Sequence, residues 1–211
     1  MKKYLIFDLD GTLIQSDKQI SEIIYKYIAD NIDIELIDKA RYIIENNQWM
    51  SIKEWLTILL DWNIQEVQIH TDNIYFIINT IEDTVSFFPW VKEKIIELSQ
   101  TYTLFLSTWN SDNFANTVLE NWWVHKCFHK ILWSTNILKS RLHIDEFINY
   151  TWDEYFSEKA IFIWDGQRDR EIAESMNIEF IHIWSDNKDI YEITSVSRID
   201  EMLNKINKLD N

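Results

Sequence analysis

The sequence predicts a doubly wound parallel α/β sheet with a block of helices inserted after its first strand. Two observations lead there. From residue 90 onward, apolar runs of strand length alternate with stretches of helical period, the pattern of parallel strands joined by crossover helices. Between residues 15 and 83 only the helical period occurs. The boundaries expected on these grounds are a core domain of residues 1–14 and 84–211 and a helical insertion of residues 15–83.

The first strand is Tyr4-Leu5-Ile6-Phe7, whose four consecutive apolar residues suit a strand covered on both faces. In the insertion, Ile20, Ile23, Ile24, Tyr27 and Ile28 mark one amphipathic helix, and Ile37, Ala40 and Ile44 a weaker one. Ser51-Ile52-Lys53-Glu54 is a capping-box sequence that opens a helix through Ile52, Trp55, Leu56, Leu59 and Leu60. Thr71 or Asp72 begins a fourth, with Ile74, Ile77, Ile78 and Ile81. Pro89-Trp90-Val91 then starts a helix bearing Ile95, Ile96 and Leu98, proline being tolerated in a first helical turn. Four more strands are expected at Thr103–Leu106, Lys130–Leu132, Ala160–Ile163 and Phe180–Ile183. The helices between them carry Phe114 and Val118, then Ile144, Phe147, Ile148 and Tyr155, then Ile172, Ala173 and Met176. A short helix over about 196–211 closes the chain.

A formal charge of −15 argues against nucleic acid or an anionic membrane as a partner, because both select basic surfaces. An anionic substrate must therefore be drawn in by local cations. Cys127 is the only cysteine, so no disulfide forms within the chain, and a reducing, cytoplasmic location is expected. The apolar run after Lys2 and Lys3 ends at Asp8, too short for a signal peptide, and no segment reaches the ~18 apolar residues of a membrane span.

Candidate chemistry collects where strands end. Asp8-Leu9-Asp10-Gly11-Thr12-Leu13 follows the first strand. In an extended segment, side chains two residues apart point the same way, with Cα atoms about 7 Å apart. Two anions so placed repel unless a cation lies between them, which implies a metal. Ser107 and Thr108 end the second strand, where a hydroxyl and the N–H groups of a following helix hold phosphate oxygens; a plain helix cap is the alternative. Lys139 falls after the third strand, and Asp165 and Asp169, four apart, follow the fourth. Oxygen ligands such as Asp165 suit a hard cation. His125 and His129 are four apart, but a surface or core role is expected for them, and core packing for Cys127 between them.

These stretches, in this order, resemble the four motifs of the haloacid dehalogenase-like (HAD) phosphohydrolases, and the resemblance spans essentially the whole chain. It implies that Asp8 is the nucleophile, forming an aspartyl-phosphate, and that Asp10 is the general acid/base. It implies Mg²⁺ held by Asp8, Asp10 and Asp165, and phosphate bound by Ser107, Thr108 and Lys139. Asp169 and Thr12 would support these groups from behind. Ser140 stands where the family often has proline after the motif lysine. The insertion resembles the family's C1 cap. The activity implied is a Mg²⁺-dependent phosphatase acting on a small phosphorylated metabolite, similar to phosphoglycolate phosphatases. A phosphotransferase of the sugar-phosphate mutase kind, or a catalytically impaired binding module, are the alternatives.

One compositional feature departs from the family. The chain has 2 Gly and 11 Trp, whereas usage of about 7% Gly gives roughly fifteen. Trp90, Trp109, Trp122 or Trp123, and Trp164 stand where the family usually has glycine. The expectation is that many of these codons are UGA, read as glycine in the source organism; drift in a family member is the alternative. If the indoles are physically present, lowered stability is expected, with Trp164 crowding a metal site beside Asp165.

Overall fold

The computed structural model describes residues 2–47, 50–61, 63–81, 84–134, 137–183, 192–193 and 196–209. The chain divides into two compact units, one of Met1–Gln15 and Val85–Asn211, the other of Ser16–Thr84.

The first unit is a doubly wound α/β sheet. Its strands are β1 (Tyr4–Phe7), β2 (Thr103–Thr108), β3 (Phe128–Trp133), β4 (Ala160–Trp164), β5 (Glu179–Ile183) and β6 (Glu192–Ile193). All pair in parallel, in the order β3-β2-β1-β4-β5-β6. Five were expected; β6, a two-residue edge strand, was not. β1 is fully buried between β2 and β4. Tyr4 and Ile6 pack with Phe105, Phe147, Phe156, Phe162 and Trp164 in one apolar cluster.

The second unit is helical: α1 (Asp17–Asn31), α2 (Ile37–Asn46), α3 (Ile52–Leu59) and α4 (Ile64–Ile78). The capping box at α3 forms, with Ser51 and Glu54 each accepting from the other's backbone N–H. α4 begins seven residues before the expected Thr71, because Asn63 caps it by accepting from Glu66 N–H. The Thr71 hydroxyl donates instead to the Val67 carbonyl at 2.6 Å, which lets this residue sit inside the helix. Residues 82 and 83 of the expected insertion lie outside the described residues. Among the described residues no helix is long and apolar enough to cross a membrane.

The sheet's helices are α5 (Val91–Leu98), α6 (Asp112–Asn121), α7 (Arg141–Thr151), the short α8 (Phe156–Lys159), α9 (Gln167–Ser175) and α10 (Ile199–Leu209). Residues 210 and 211 of the expected closing helix lie outside the described residues. Tyr155 is not on α7 as expected; that helix stops at Thr151 and Tyr155 precedes α8, exposed. Pro89 is likewise outside α5, in the turn before it.

Among the described residues, three tryptophans occupy left-handed backbone at positions with a defined geometry. Trp90 (φ 66°, ψ 0°) follows Pro89 in a turn closed by Val91 N–H to the Phe88 carbonyl at 3.2 Å, the type II arrangement in which glycine is the ordinary third residue. Trp123 (φ 64°) follows α6, where Val124 N–H donates to the Leu119 carbonyl and Trp123 N–H to that of Glu120. That pair of bonds is a Schellman motif, and Trp123 takes its glycine place. Trp152 (φ 52°) ends α7 with a single N–H bond to the Ile148 carbonyl, the simpler left-handed cap. Trp109 and Trp164 are not among the left-handed residues. Trp164 also does not crowd the strand end. Alternation along β4 places its ring with Phe162 in the core, against Phe180 and His182, where its Nε1–H has no partner.

The indoles at 90, 123 and 152 are 74%, 83% and 91% exposed, so they contribute little burial to offset their backbone cost. A left-handed side-chain-bearing residue costs roughly 1–2 kcal/mol, against about 0.5–1 kcal/mol of extra chain entropy for glycine. Replacing all three by glycine is expected to raise unfolding free energy by about 1–3 kcal/mol, measured by urea denaturation.

Candidate active site

The site lies where the sheet reverses direction. In an order of β3-β2-β1-β4-β5-β6 the chain winds one way from β1 and the other way from β4, leaving a crevice beyond their carboxyl ends. The register sets Phe7 opposite both Leu106 and Ile163, so the residues just past β1, at the end of β2 and past β4 come level. These are Asp8, Ser107 with Thr108, and Asp165. The Asp8 N–H bonds the Ile163 carbonyl at 3.0 Å, extending the ladder one step beyond the strand.

Lys139 is the centre of the charge network. Its Nζ lies 2.7 Å from Asp8 Oδ1 and 2.6 Å from Asp169 Oδ2, and its side chain has no solvent exposure. The loop that delivers it is tied to β2 through Ser134, whose hydroxyl accepts from Lys139 N–H at 3.1 Å and donates to the Thr108 carbonyl at 3.2 Å. Burial alone would lower the lysine's pKa; Asp169 and Asp8 outweigh it and hold the ammonium above its ordinary value. Burial raises the pKa of Asp169, Lys139 offsets this only in part, and the charge of Asp8 adds to it. Asp169 Oδ1 is buried without a hydrogen-bond partner.

The remaining expected residues fall into separate contacts. Asp10 Oδ2 accepts from Asn110 Nδ2. Asp165 Oδ1 accepts from the Thr12 hydroxyl at 3.1 Å, and its backbone carbonyl from His182 Nε2–H at 2.9 Å. Gly11 (φ +66°) leaves room for Asp165: a Cβ there would fall on that carboxyl, 2.6 Å from its Cγ. The Ser107 hydroxyl meets His143 Nδ1 at 2.9 Å, and Thr108 Oγ1 accepts from Asn110 N–H at 3.1 Å. His125 lies in a short 3-10 turn and bonds Asn116, while His129 is exposed on β3, so the two share no helix. Cys127 is half-buried rather than core.

Asn110, Ser134 and His143 join the site without having been singled out in the sequence. Asn110 stands in the polar run after β2, which hinted at it; nothing local distinguishes Ser134, or His143 in the first turn of α7. Among the described residues no three His, Cys, Asp or Glu side chains are arranged to hold a metal. The donors nevertheless fit Mg²⁺, a hard cation that takes one or two carboxylates and completes its shell with water and phosphate oxygens. Asp8 and Asp165 are the carboxylates that would hold it, and the unpartnered Asp169 oxygen suits a hydrogen bond from a bound water.

Gly11→Ala combines a left-handed backbone with displacement of Asp165. It is expected to cost at least about 2 kcal/mol of stability, read by chemical denaturation. Gly166→Ala, where a Cβ meets nothing within 4 Å, is expected to change far less.

The model of the haloacid dehalogenase-like hydrolase family matches residues 5–183. The fold is similar to that of a predicted phosphatase from Clostridium acetobutylicum (TM-score 0.78, 19% identity, 99% of each chain covered). It is also similar to a protein described as a phosphoglycolate phosphatase from Lactobacillus plantarum (TM-score 0.77, 16% identity, 96% of this chain and 100% of that one). A third similar structure is the HAD-hydrolase YfnB of Bacillus subtilis, solved bound to magnesium (TM-score 0.69, 14% identity, 96% and 99% covered). No curated protein is similar enough in sequence to match. With a family match over most of its length and the family's fold, the chain belongs to the haloacid dehalogenase-like hydrolases.

Proposed function

We propose that the protein is a Mg²⁺-dependent phosphatase that hydrolyses a small phosphorylated metabolite through an aspartyl-phosphate on Asp8. The observation that carries this reading is the buried Lys139 bridging Asp8 and Asp169 at the carboxyl end of β1. A lysine held there neutralises charge beside a carboxylate that is itself only 7% exposed, as a nucleophile for an anionic phosphoryl group requires.

Asp8 attacks phosphorus, and the bond to the leaving oxygen breaks as the one to Asp8 forms. Asp10 gives its proton to the leaving alkoxide, then takes one from the water that hydrolyses the acyl-phosphate. The hydrogen bond from Asn110 Nδ2 fixes the direction of the Asp10 carboxyl. Ser107, the Thr108 backbone and Lys139 hold the phosphoryl oxygens. Asp8, Asp10 and Asp165 would hold Mg²⁺, which would neutralise developing phosphoryl charge when bound. Asp169 orients Lys139, and Thr12 orients Asp165. The family's dehalogenases lack an acid at the position of Asp10, which favours phosphate chemistry here. The helical unit serves as the cap, and the free Cys127 suits a reducing cytoplasm.

The test is phosphate release from a panel of small phosphorylated metabolites. Activity is expected with Mg²⁺ and not with EDTA. Asp8→Asn is expected to lower kcat by roughly 10⁴-fold or more. Asp8→Asn protein that keeps full activity would sink the mechanism; transfer of phosphoryl to a sugar hydroxyl in place of water would reassign the chain to the phosphotransferases.

A further inference from the structure

His143 is buried in the first turn of α7, and both of its ring nitrogens are engaged. Nε2 lies 2.7 Å from the Ile137 carbonyl, which accepts only, so Nε2 carries a hydrogen. The neutral ring then has a bare Nδ1, and the Ser107 hydroxyl 2.9 Å away must donate to it. Its proton is committed to His143 while the ring is neutral. A phosphoryl oxygen is also an acceptor, so Ser107 cannot serve both.

We propose that His143 is the positioning residue for Ser107, and that phosphate is held by Ser107 only when a proton is loaded onto His143. This rests on the phosphate-binding reading of Ser107. On binding, the bond Ser107 Oγ–H···Nδ1 reverses to Nδ1–H···Oγ, and the released hydroxyl hydrogen turns to the phosphoryl oxygen. The added proton comes from solvent as the phosphate dianion binds. The groups facing His143 are the Ser107 hydroxyl from β2, and the Ile137 carbonyl and Lys139 from the loop ahead of α7. Burial, with the Lys139 charge, holds the free ring's pKa down to about 4, the Ile137 bond opposing. The resting ring is therefore neutral at pH 7, and an arriving anion supplies the opposite charge that favours its protonation.

The test uses inorganic phosphate with Mg²⁺ on the intact protein. Nitrogen NMR of the labelled histidine rings is expected to show His143 with a bare Nδ1 in free protein and both nitrogens protonated at saturating phosphate. Calorimetry in buffers of different ionisation enthalpy is expected to show proton uptake that His143→Leu abolishes. Ser107→Ala and His143→Leu are each expected to weaken phosphate by about tenfold, the double variant no further. A ring that stays neutral at saturation, while Ser107→Ala does weaken binding, overturns the role of His143 alone. Unchanged affinity in Ser107→Ala overturns the phosphate-binding reading itself. The NMR readout needs no variant to fold.

The backbone carries a second, independent inference. Among the described residues, five non-glycine residues have positive φ: Asp61, Trp90, Trp123, Trp152 and Asn177. Asp and Asn tolerate that region through their short polar side chains, whereas tryptophan has no such excuse. Three indoles standing at a type II turn and two helix caps, in a chain with 2 Gly and 11 Trp, share one explanation. We infer that the cellular protein carries glycine at 90, 123 and 152, from UGA codons decoded as glycine. Trp152 extends the set suggested by the sequence. Sequencing the gene and mass spectrometry of peptides from source cells test it: UGA codons and glycine peptides are expected, and UGG codons or tryptophan peptides at these positions overturn it.

Discussion

A single buried ammonium between two carboxylates constrains everything around it. Lys139 reaches Asp8 from one side and Asp169 from the other, its side chain closed off from solvent. Removing one partner from such a cluster leaves an uncompensated buried ion, typically costing 3–5 kcal/mol. With both acids ionised the trio still carries one net negative charge. Burial is the main reason Asp169 resists ionisation, with the Asp8 charge adding to it, and the net charge of the trio favours a divalent cation nearby. The arrangement is costly as a source of stability and useful as a place to receive an anion.

The sheet is what makes the cluster possible. Asp8 comes from β1, Lys139 from the loop after β3, and Asp169 from α9 after β4. They meet because β1 sits between β2 and β4, and because Ser134 ties the lysine's loop to the end of β2. Chain segments 131 residues apart are thereby held at hydrogen-bond distance. Glycine enters this logic at one point, Gly11, where the turn must pass against the Asp165 carboxyl.

What the sequence revealed follows from how locally each feature is encoded. β1 was plain because four apolar residues run directly into an acidic turn, and the helical insertion because strand-like runs are missing there. The α3 cap was written in four consecutive residues. Asn110 and His143 were not legible as partners. Their roles exist only through contacts to Asp10 and Ser107, 100 and 36 residues away. The start of α4 was misplaced because Thr71 resembles a cap until its hydroxyl is seen bonding within the helix. Trp164 was expected to lean over the metal site; the two-residue alternation of β4, which puts it on the same face as Phe162 two residues earlier, turns it to the core.

The unusual tryptophans therefore act on stability and chemistry in different places. Trp90, Trp123 and Trp152 are exposed at turns and helix ends, while Asp8, Lys139 and Asp169 are buried beyond the strand ends. Their combined backbone cost, roughly 3–6 kcal/mol at about 1–2 each, is large against a typical domain stability of about 5–15 kcal/mol. Yet none of the three sits at a residue that holds the charge cluster. Trp164 adds the unpartnered indole N–H, a further burden of about 1–3 kcal/mol located in the core rather than the crevice. Substituting glycine at 90, 123 and 152 relaxes the scaffold and leaves the acid–lysine network as it stands, so the fold's stability and the site's chemistry are separable in this chain.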